Sequence, residues 1–196
     1  YKKMALTESY MLPLGRLAPD FSLLNVVTGK QCKLESLKGS KGTLIIFMCN
    51  HCPFVVHLID SVVSSAELLE SKGINTIAIS SNSIHSHPQD GPHEMAELSF
   101  NKKFLFPYLY DKTQEIAHAY RAACTPDFYL FDASLKLVYR GRYDASRPGN
   151  KIPITGENLH KAAKIMLSKK PMLEMQYPSI GCNIKWHQGN SPEDRF

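Results

Sequence analysis

The chain has 196 residues, 43% hydrophobic and 21% charged, with a net charge of +5. That length suits one well-packed domain and is short for two, and no apolar run approaches the roughly 20 residues a bilayer span needs. The positive charge sits in scattered pairs, Lys2-Lys3, Lys102-Lys103 and Lys169-Lys170, which reads as a solvated surface and argues against nucleic-acid or membrane partners.

Five cysteines is an odd count at low density and irregular spacing. This does not suit the disulfide scaffold of a small secreted protein; it suits a reducing, cytoplasmic compartment with a few working thiols. The amino end carries no charged, then apolar, then small-residue leader, and Met4 offers a natural start just after Tyr1.

In chain order, Ala18 to Asn25 and Cys32 to Leu34 read as a short hairpin turned at Thr28-Gly29-Lys30. After the break at Lys41-Gly42, Leu44 to Met48 is a continuous apolar run, as expected of a central strand covered on both faces. Pro53 fits the first turn of a helix, where its missing N–H costs nothing. Val55, Ile59, Val62, Val63, Ala66 and Leu69 then recur at helical spacing until Lys72-Gly73 stops the helix. Ile74 and Thr76 to Ile79 give a second buried strand.

The His- and Pro-rich stretch 82–92 reads as a loop, and 94–103 as a helix. Pro107 to Asp111 leads into a helix over 113–120. Asp127 to Phe131 and Leu137 to Gly141 form a hairpin through Asp132-Ala133-Ser134, and 158–167 is a last amphipathic helix. The tail from Lys169 lacks periodicity. This order implies one domain over 1–168, with a central mixed sheet flanked by helices, and a carboxy-terminal extension over 169–196 that wraps or trails from it.

The chemistry centres on Cys49-Asn50-His51-Cys52-Pro53, set between the apolar strand and the helix. A strand feeding straight into a helix places a thiol at the helix's positive end, which favours thiolate, the species that attacks disulfides and peroxides. The same spacing also serves zinc knuckles, and Cys49, Cys52, His51 and a distant Cys182 could be assembled around a metal. His85, His87 and His93 lie with Asp90 and Glu94 in a loop whose composition suits solvation better than metal binding. Cys182, within Ile180-Gly181-Cys182-Asn183-Ile184-Lys185-Trp186, interrupts the tail with apolar residues, and serves either as a small buried hydrophobe or as a redox thiol. Cys32 reads as structural. Thr125-Pro126 just before a strand reads, on local sequence alone, as an ordinary trans turn.

The chain resembles the thioredoxin-like superfamily, specifically the redoxin branch of peroxiredoxins and TlpA-type thiol–disulfide oxidoreductases. The resemblance runs from about Gly15 to Leu167. It rests on Ala18-Pro19-Asp20-Phe21, the Leu44 to Phe47 strand leading to Cys52-Pro53, Thr125-Pro126 before a strand ending in Asp132, and the hairpin to Tyr139-Arg140-Gly141. It implies a thioredoxin-like α/β fold with an amino-terminal hairpin, a cis Pro126 facing the nucleophilic thiol, and Thr125-Pro126 holding substrate backbone. Counting from Phe47 puts Cys52 at the nucleophile position and His51 at the family's tryptophan; the usual second cysteine falls on Val55, so this CxxC is shifted by three residues. The peroxiredoxin pattern P-x-x-x-[TS]-x-x-C, aligned on Cys52, asks for Pro at Ile45 and Thr or Ser at Cys49, and the substrate-orienting Arg falls at Pro126. These departures favour dithiol–disulfide exchange over peroxide reduction.

The resemblance therefore implies an oxidoreductase in which Cys52 attacks, its thiolate stabilised by the helix N–H groups and by a protonated His51, while Cys49 resolves. If residues 49–52 are extended, Cys182 or Cys124 becomes the partner. A peroxidase with Cys52 as the peroxidatic thiol and a soft-metal-binding module are the alternatives. No cofactor is implied. The expected partners are a disulfide or peroxide substrate and a thiol reductant of the thioredoxin or glutathione type.

Overall fold

The computed structural model describes residues 6–195. Tyr1, the Lys2-Lys3 pair and Met4 lie outside the described residues. Strand β1 (Leu6–Glu8) is followed by the antiparallel hairpin β2 (Ser22–Asn25) and β3 (Lys30–Lys33), then by a single turn of helix, α1 (Leu34–Leu37). Next come β4 (Gly42–Phe47), α2 (Pro53–Glu70) and β5 (Ile74–Ser80), a crossover unit whose two strands run parallel. A 3-10 turn at Pro88–Asp90 leads to α3 (Pro92–Asn101), β6 (Tyr108–Tyr110) and α4 (Glu115–Ala119). The short β7 (Cys124–Thr125), the hairpin β8 (Asp127–Asp132) and β9 (Leu137–Gly141), then α5 (Glu157–Leu167) and β10 (Ile180–Asn183) complete the order.

Seven strands form one mixed sheet in the order β3-β2-β6-β5-β4-β8-β9. Every residue of β4 is buried, which is why its sequence lacks alternation. Its side chains nevertheless alternate in direction. Leu44 and Ile46 pack with Val55, Leu58, Ile59 and Val62 of α2, Met95 of α3 and Leu159 of α5. Ile45 and Phe47 face the opposite side, with Ile77, Ile79, Leu34 and Ala117. Burying each large aliphatic side chain of the α2 stripe stabilises the fold by about 1.5–3 kcal/mol. The helix ends where Gly73, at φ +84°, takes the left-handed conformation. Among the described residues no helix is long and apolar enough to cross a membrane.

A second sheet of three short strands, β1-β10-β7, was not anticipated, because the tail that supplies β10 shows no periodicity. Its formation depends on tertiary partners: Cys182 pairs with Leu6 on one side and Thr125 on the other. Gly181 permits this approach, since a Cβ there would run into the Thr125 carbonyl. Ser179 donates its hydroxyl to the Pro126 carbonyl at 2.6 Å, and further along Lys185 O accepts from Ser83 N at 2.7 Å. The stretch read as a solvated loop differs too. Asn82, Ser83 and Asp90 are buried, because their polar groups are taken up by the tail and by the segment between β4 and α2.

Candidate active site at the head of helix α2

Strand β4 ends at Phe47, and the chain bends at Asn50 and His51 before Cys52 caps α2 with an extended backbone (φ −62°, ψ 122°). Pro53 at the first helical position removes a donor that would have had no partner. The bend brings Cys49 back toward Cys52. Both thiols are buried, at 1% and 0% exposure, and all five cysteines are reduced.

Three sulfurs meet here. The Cys52 thiol hydrogen-bonds with Cys182 on one side and Cys49 on the other. Those two contacts, Cys182 foremost, outweigh burial and hold the Cys52 pKa far below the ordinary thiol value, with smaller help from Thr125 and the Val55 amide at the helix terminus. Cys49 is pushed up, first by its hydrogen bond to Cys52, then by burial and by the negative charge of Asp90. Cys182 is likewise pushed up, chiefly by the same kind of hydrogen bond. The contacts therefore favour the thiolate at Cys52 over either neighbour.

The Thr125–Pro126 peptide is cis. It presents the Thr125 carbonyl 3.2 Å from Cys52 Sγ, where it accepts the proton of the thiol form, and Thr125 Oγ1 lies 3.6 Å from Cys49 Sγ. Thr125 thus stands beside both sulfurs. His51 is placed differently from expectation. Its Nδ1 is 3.8 Å from Cys49 Sγ and 2.5 Å from Asp90 Oδ2, so the ring addresses Cys49, because Asp90 holds it on that side.

Asp90 joins the site through contacts that the sequence pattern hides. Fully buried, its Oδ1 accepts the backbone N–H of Asn50 (2.8 Å) and of His51 (3.2 Å), and its Oδ2 accepts the Asn82 side-chain amide at 2.9 Å. Burial opposes its ionisation, but the hydrogen bonds from His51, Asn82 and Asn50 prevail and hold its pKa below the usual carboxylate value. Asn82 Oδ1 in turn accepts Lys185 N–H at 2.9 Å, so one buried network fastens both the thiol bend and the tail. Residue spacing gives one hint only, a carboxylate two residues after His87-Pro88.

Cys49, His51 and Asp90 place ligating atoms within 4.8 Å of one another, the set a soft cation could use. His51 and Asp90 already satisfy each other in this arrangement. His93 and Glu94 form a solvent-facing pair away from the thiols. Cys124 is buried and pushed up by desolvation, while Cys32 sits partly exposed on β3, outside the cluster.

Residues 14–140 match the AhpC/TSA family. No curated protein matches the chain. An uncharacterized conserved protein from Geobacillus kaustophilus is 49% identical, the alignment covering 94% of this chain and 97% of that one, with a TM-score of 0.92. A hypothetical protein from Sinorhizobium meliloti is 39% identical over 92% of this chain and 98% of that one, with a TM-score of 0.89. A thiol:disulfide interchange protein of the thioredoxin family from Chlorobium tepidum shares the fold at a TM-score of 0.59 and 20% identity, over 77% of this chain and 95% of that one. With a CxxC at the head of a helix beside a cis proline, the chain belongs to the AhpC/TSA family and is a redoxin-type oxidoreductase of thioredoxin-like fold.

Proposed function

We propose that the protein is a thiol–disulfide oxidoreductase in which Cys52 is the attacking thiol and the oxidised resting form carries a Cys49–Cys52 disulfide. The observation that carries this reading is the position of Cys52: at the cap of α2, with thiols hydrogen-bonded to its sulfur that favour its ionised form. A thiolate attacks a disulfide sulfur in line, and neighbouring donors raise the fraction ionised at neutral pH while lowering its intrinsic nucleophilicity. Thr125 and Pro126 are buried beside Cys52 and β10 pairs with Thr125, so substrate backbone would reach Thr125 only if β10 moved aside. His51, between Cys49 and Asp90, would sit beside the bound substrate. The substrate class is a disulfide, and a small thiol or a dithiol protein would restore the reduced form.

One observation favours a second reading, peroxide reduction by Cys52. At 0% exposure the sulfur is more accessible to a small oxidant than to a folded protein's disulfide. The test is reduction of insulin disulfides driven by dithiothreitol, run beside hydrogen peroxide consumption. Exchange predicts insulin reduction that is lost in Cys52→Ser and a Cys49–Cys52 bond in the mildly oxidised wild type. Saturable peroxide consumption without insulin reduction would replace the first reading with the second. Full activity of Cys52→Ser in both assays would reject both.

A further inference from the structure

The Cys182 thiol has a place in this site that a two-cysteine mechanism does not use. It comes from β10, 130 positions after Cys52 by residue number, and is 3% exposed. In the register of the small sheet Cys182 stands opposite Thr125, the residue whose carbonyl touches Cys52 Sγ. Gly181 allows β10 to come this close, because any larger residue there would meet the Thr125 carbonyl. The tail is fixed on the far side of the thiol as well, where Lys185 binds Asn82 through its amide and Asn183 through its ammonium. Cys182 is thus seated against Cys52 by elements on both sides.

We propose that Cys182 is a third redox thiol and the first to resolve a mixed disulfide on Cys52, passing the oxidised state on to the Cys49–Cys52 pair. This rests on the reading of Cys52 as nucleophile. In the first step the Cys52 thiolate attacks a disulfide R–S–S–R′, forming Cys52–S–S–R and releasing R′S⁻, which takes a proton from solvent. In the second, the sulfur of Cys182 attacks Cys52 Sγ; the bond to R breaks, and RS⁻ leaves with the proton that Cys182 gives up. In the third, Cys49 attacks Cys52 Sγ, the Cys52–Cys182 bond breaks, and Cys182 takes the proton of Cys49. Two protein thiols are oxidised, one substrate disulfide is reduced to two thiols, and Cys182 is regenerated.

The order of the two flanking thiols follows from their surroundings. While Cys52 is a thiolate it suppresses ionisation of both neighbours. Formation of the mixed disulfide removes that charge. Cys49 then still faces burial and the Asp90 carboxylate, which oppose its thiolate, with the Thr125 hydroxyl at 3.6 Å in its favour. Cys182 faces the Lys185 ammonium, which favours its thiolate, with burial and Cys124 against it. Only the thiolate attacks, so a full cation beside Cys182 and a full anion beside Cys49 favour Cys182 as the first resolver.

The test uses the full chain in a Cys32→Ser background, with the aromatic disulfide 5,5′-dithiobis(2-nitrobenzoate) as substrate. Each reaction is quenched in acid at successive times and mapped by peptide mass spectrometry. The expected result is an early Cys52–Cys182 disulfide that decays into Cys49–Cys52. In Cys182→Ser, which keeps a hydroxyl donor toward Cys52, release of the second aromatic thiolate slows by about tenfold or more while the first release persists. A Cys49–Cys52 bond appearing first, with unchanged second-phase kinetics in Cys182→Ser, overturns the proposal and leaves the nucleophile reading standing. Rapid first-phase release in Cys52→Ser overturns the nucleophile reading and this proposal with it. The trapped intermediate is read in unmodified Cys182, so the conclusion does not depend on how the Cys182→Ser variant folds.

Discussion

Replacing Asp90 with Asn tests the claim that one buried carboxylate shapes the thiol bend. The substitution conserves volume, so packing is nearly unchanged and the effect is electrostatic. Asn Oδ1 can still accept the two backbone N–H groups of Asn50 and His51. Its amide nitrogen, however, would point a donor at the Asn82 amide, which now donates to Oδ2 at 2.9 Å, and at His51 Nδ1 at 2.5 Å. Hydrogen bonds to a charged group contribute about 1.5–3 kcal/mol each, so turning the Asn82 contact into two facing donors should cost about that much. The pH dependence has a definite sign. The folded-state pKa of Asp90 lies below its ordinary value, so its contribution is present above the unfolded carboxylate pKa and is lost as pH falls through the lower folded value. Urea unfolding under reducing conditions should therefore show the full gap between wild type and Asp90→Asn at neutral pH, and a shrinking gap below about pH 4. Removing the negative charge beside Cys49 should also lower that thiol's pKa, measured in a Cys52→Ser background by alkylation rate against pH. A variant within about 0.5 kcal/mol of wild type at neutral pH would refute the reasoning, because surface substitutions without a structural role fall in that range.

Gly181→Ala should destabilise the fold by about 1–3 kcal/mol, because the new Cβ meets the Thr125 carbonyl and the strands must part; it should also raise the Cys52 pKa by unseating Cys182, read by thiolate absorbance against pH. In the wild type that absorbance should persist as pH is lowered well below the ordinary thiol range, and should vanish in Cys52→Ser, since the neighbouring thiols hold the charge on Cys52. Asp127 is fully buried on β8 with its Oδ1 lacking a hydrogen-bond partner among the described residues, and burial pushes its pKa up to about 8. Its contribution is complete below the ordinary carboxylate pKa and is lost as pH rises through about 8, so Asp127→Asn should gain stability over wild type by several kcal/mol at alkaline pH, a gain that contracts in acid. Unfolding midpoints that move together across that pH range would show that Asp127 does not set the alkaline limit.

The main sheet was legible because its central elements carry long, consistent signals. The unbroken apolar run of β4 and the helical stripe of α2 each bury their residues as their periods require. The junction between them was legible for the same reason: Pro53 marks the first helical turn, which fixes Cys52 as the cap and places Cys49 just past the strand end. Helix ends drifted by a residue or two, as at α3 and α4, where fraying ends and weak caps decide the boundary. The strands β1, β7 and β10 were not legible. Two to four residues span less than the window in which a period can be recognised, and their pairing is decided by what lies across from them.

The same physics explains which part of the site escaped. A residue bonded to its near neighbours leaves a local pattern, as Cys49 and Cys52 do. Asp90 meets Asn50 and His51 across 40 and 39 positions, and Cys182 meets Thr125 across a strand pair that no period announces. What the sequence does show at Cys182 is an inconsistency: a glycine and a cysteine inside a brief apolar island of an otherwise aperiodic tail. Neither residue is a strong strand former, so the island is poorly explained as a strand favoured for its own sake. Each makes sense against β7, the glycine because its partner is a backbone carbonyl, the cysteine because it reaches the sulfur at the head of α2. Short segments whose residue choice contradicts their local conformation are where a distant part of the fold has set the requirement. In this chain that requirement comes from Cys52, whose ionised form is favoured by groups drawn from β7, β10 and the β4–α2 bend.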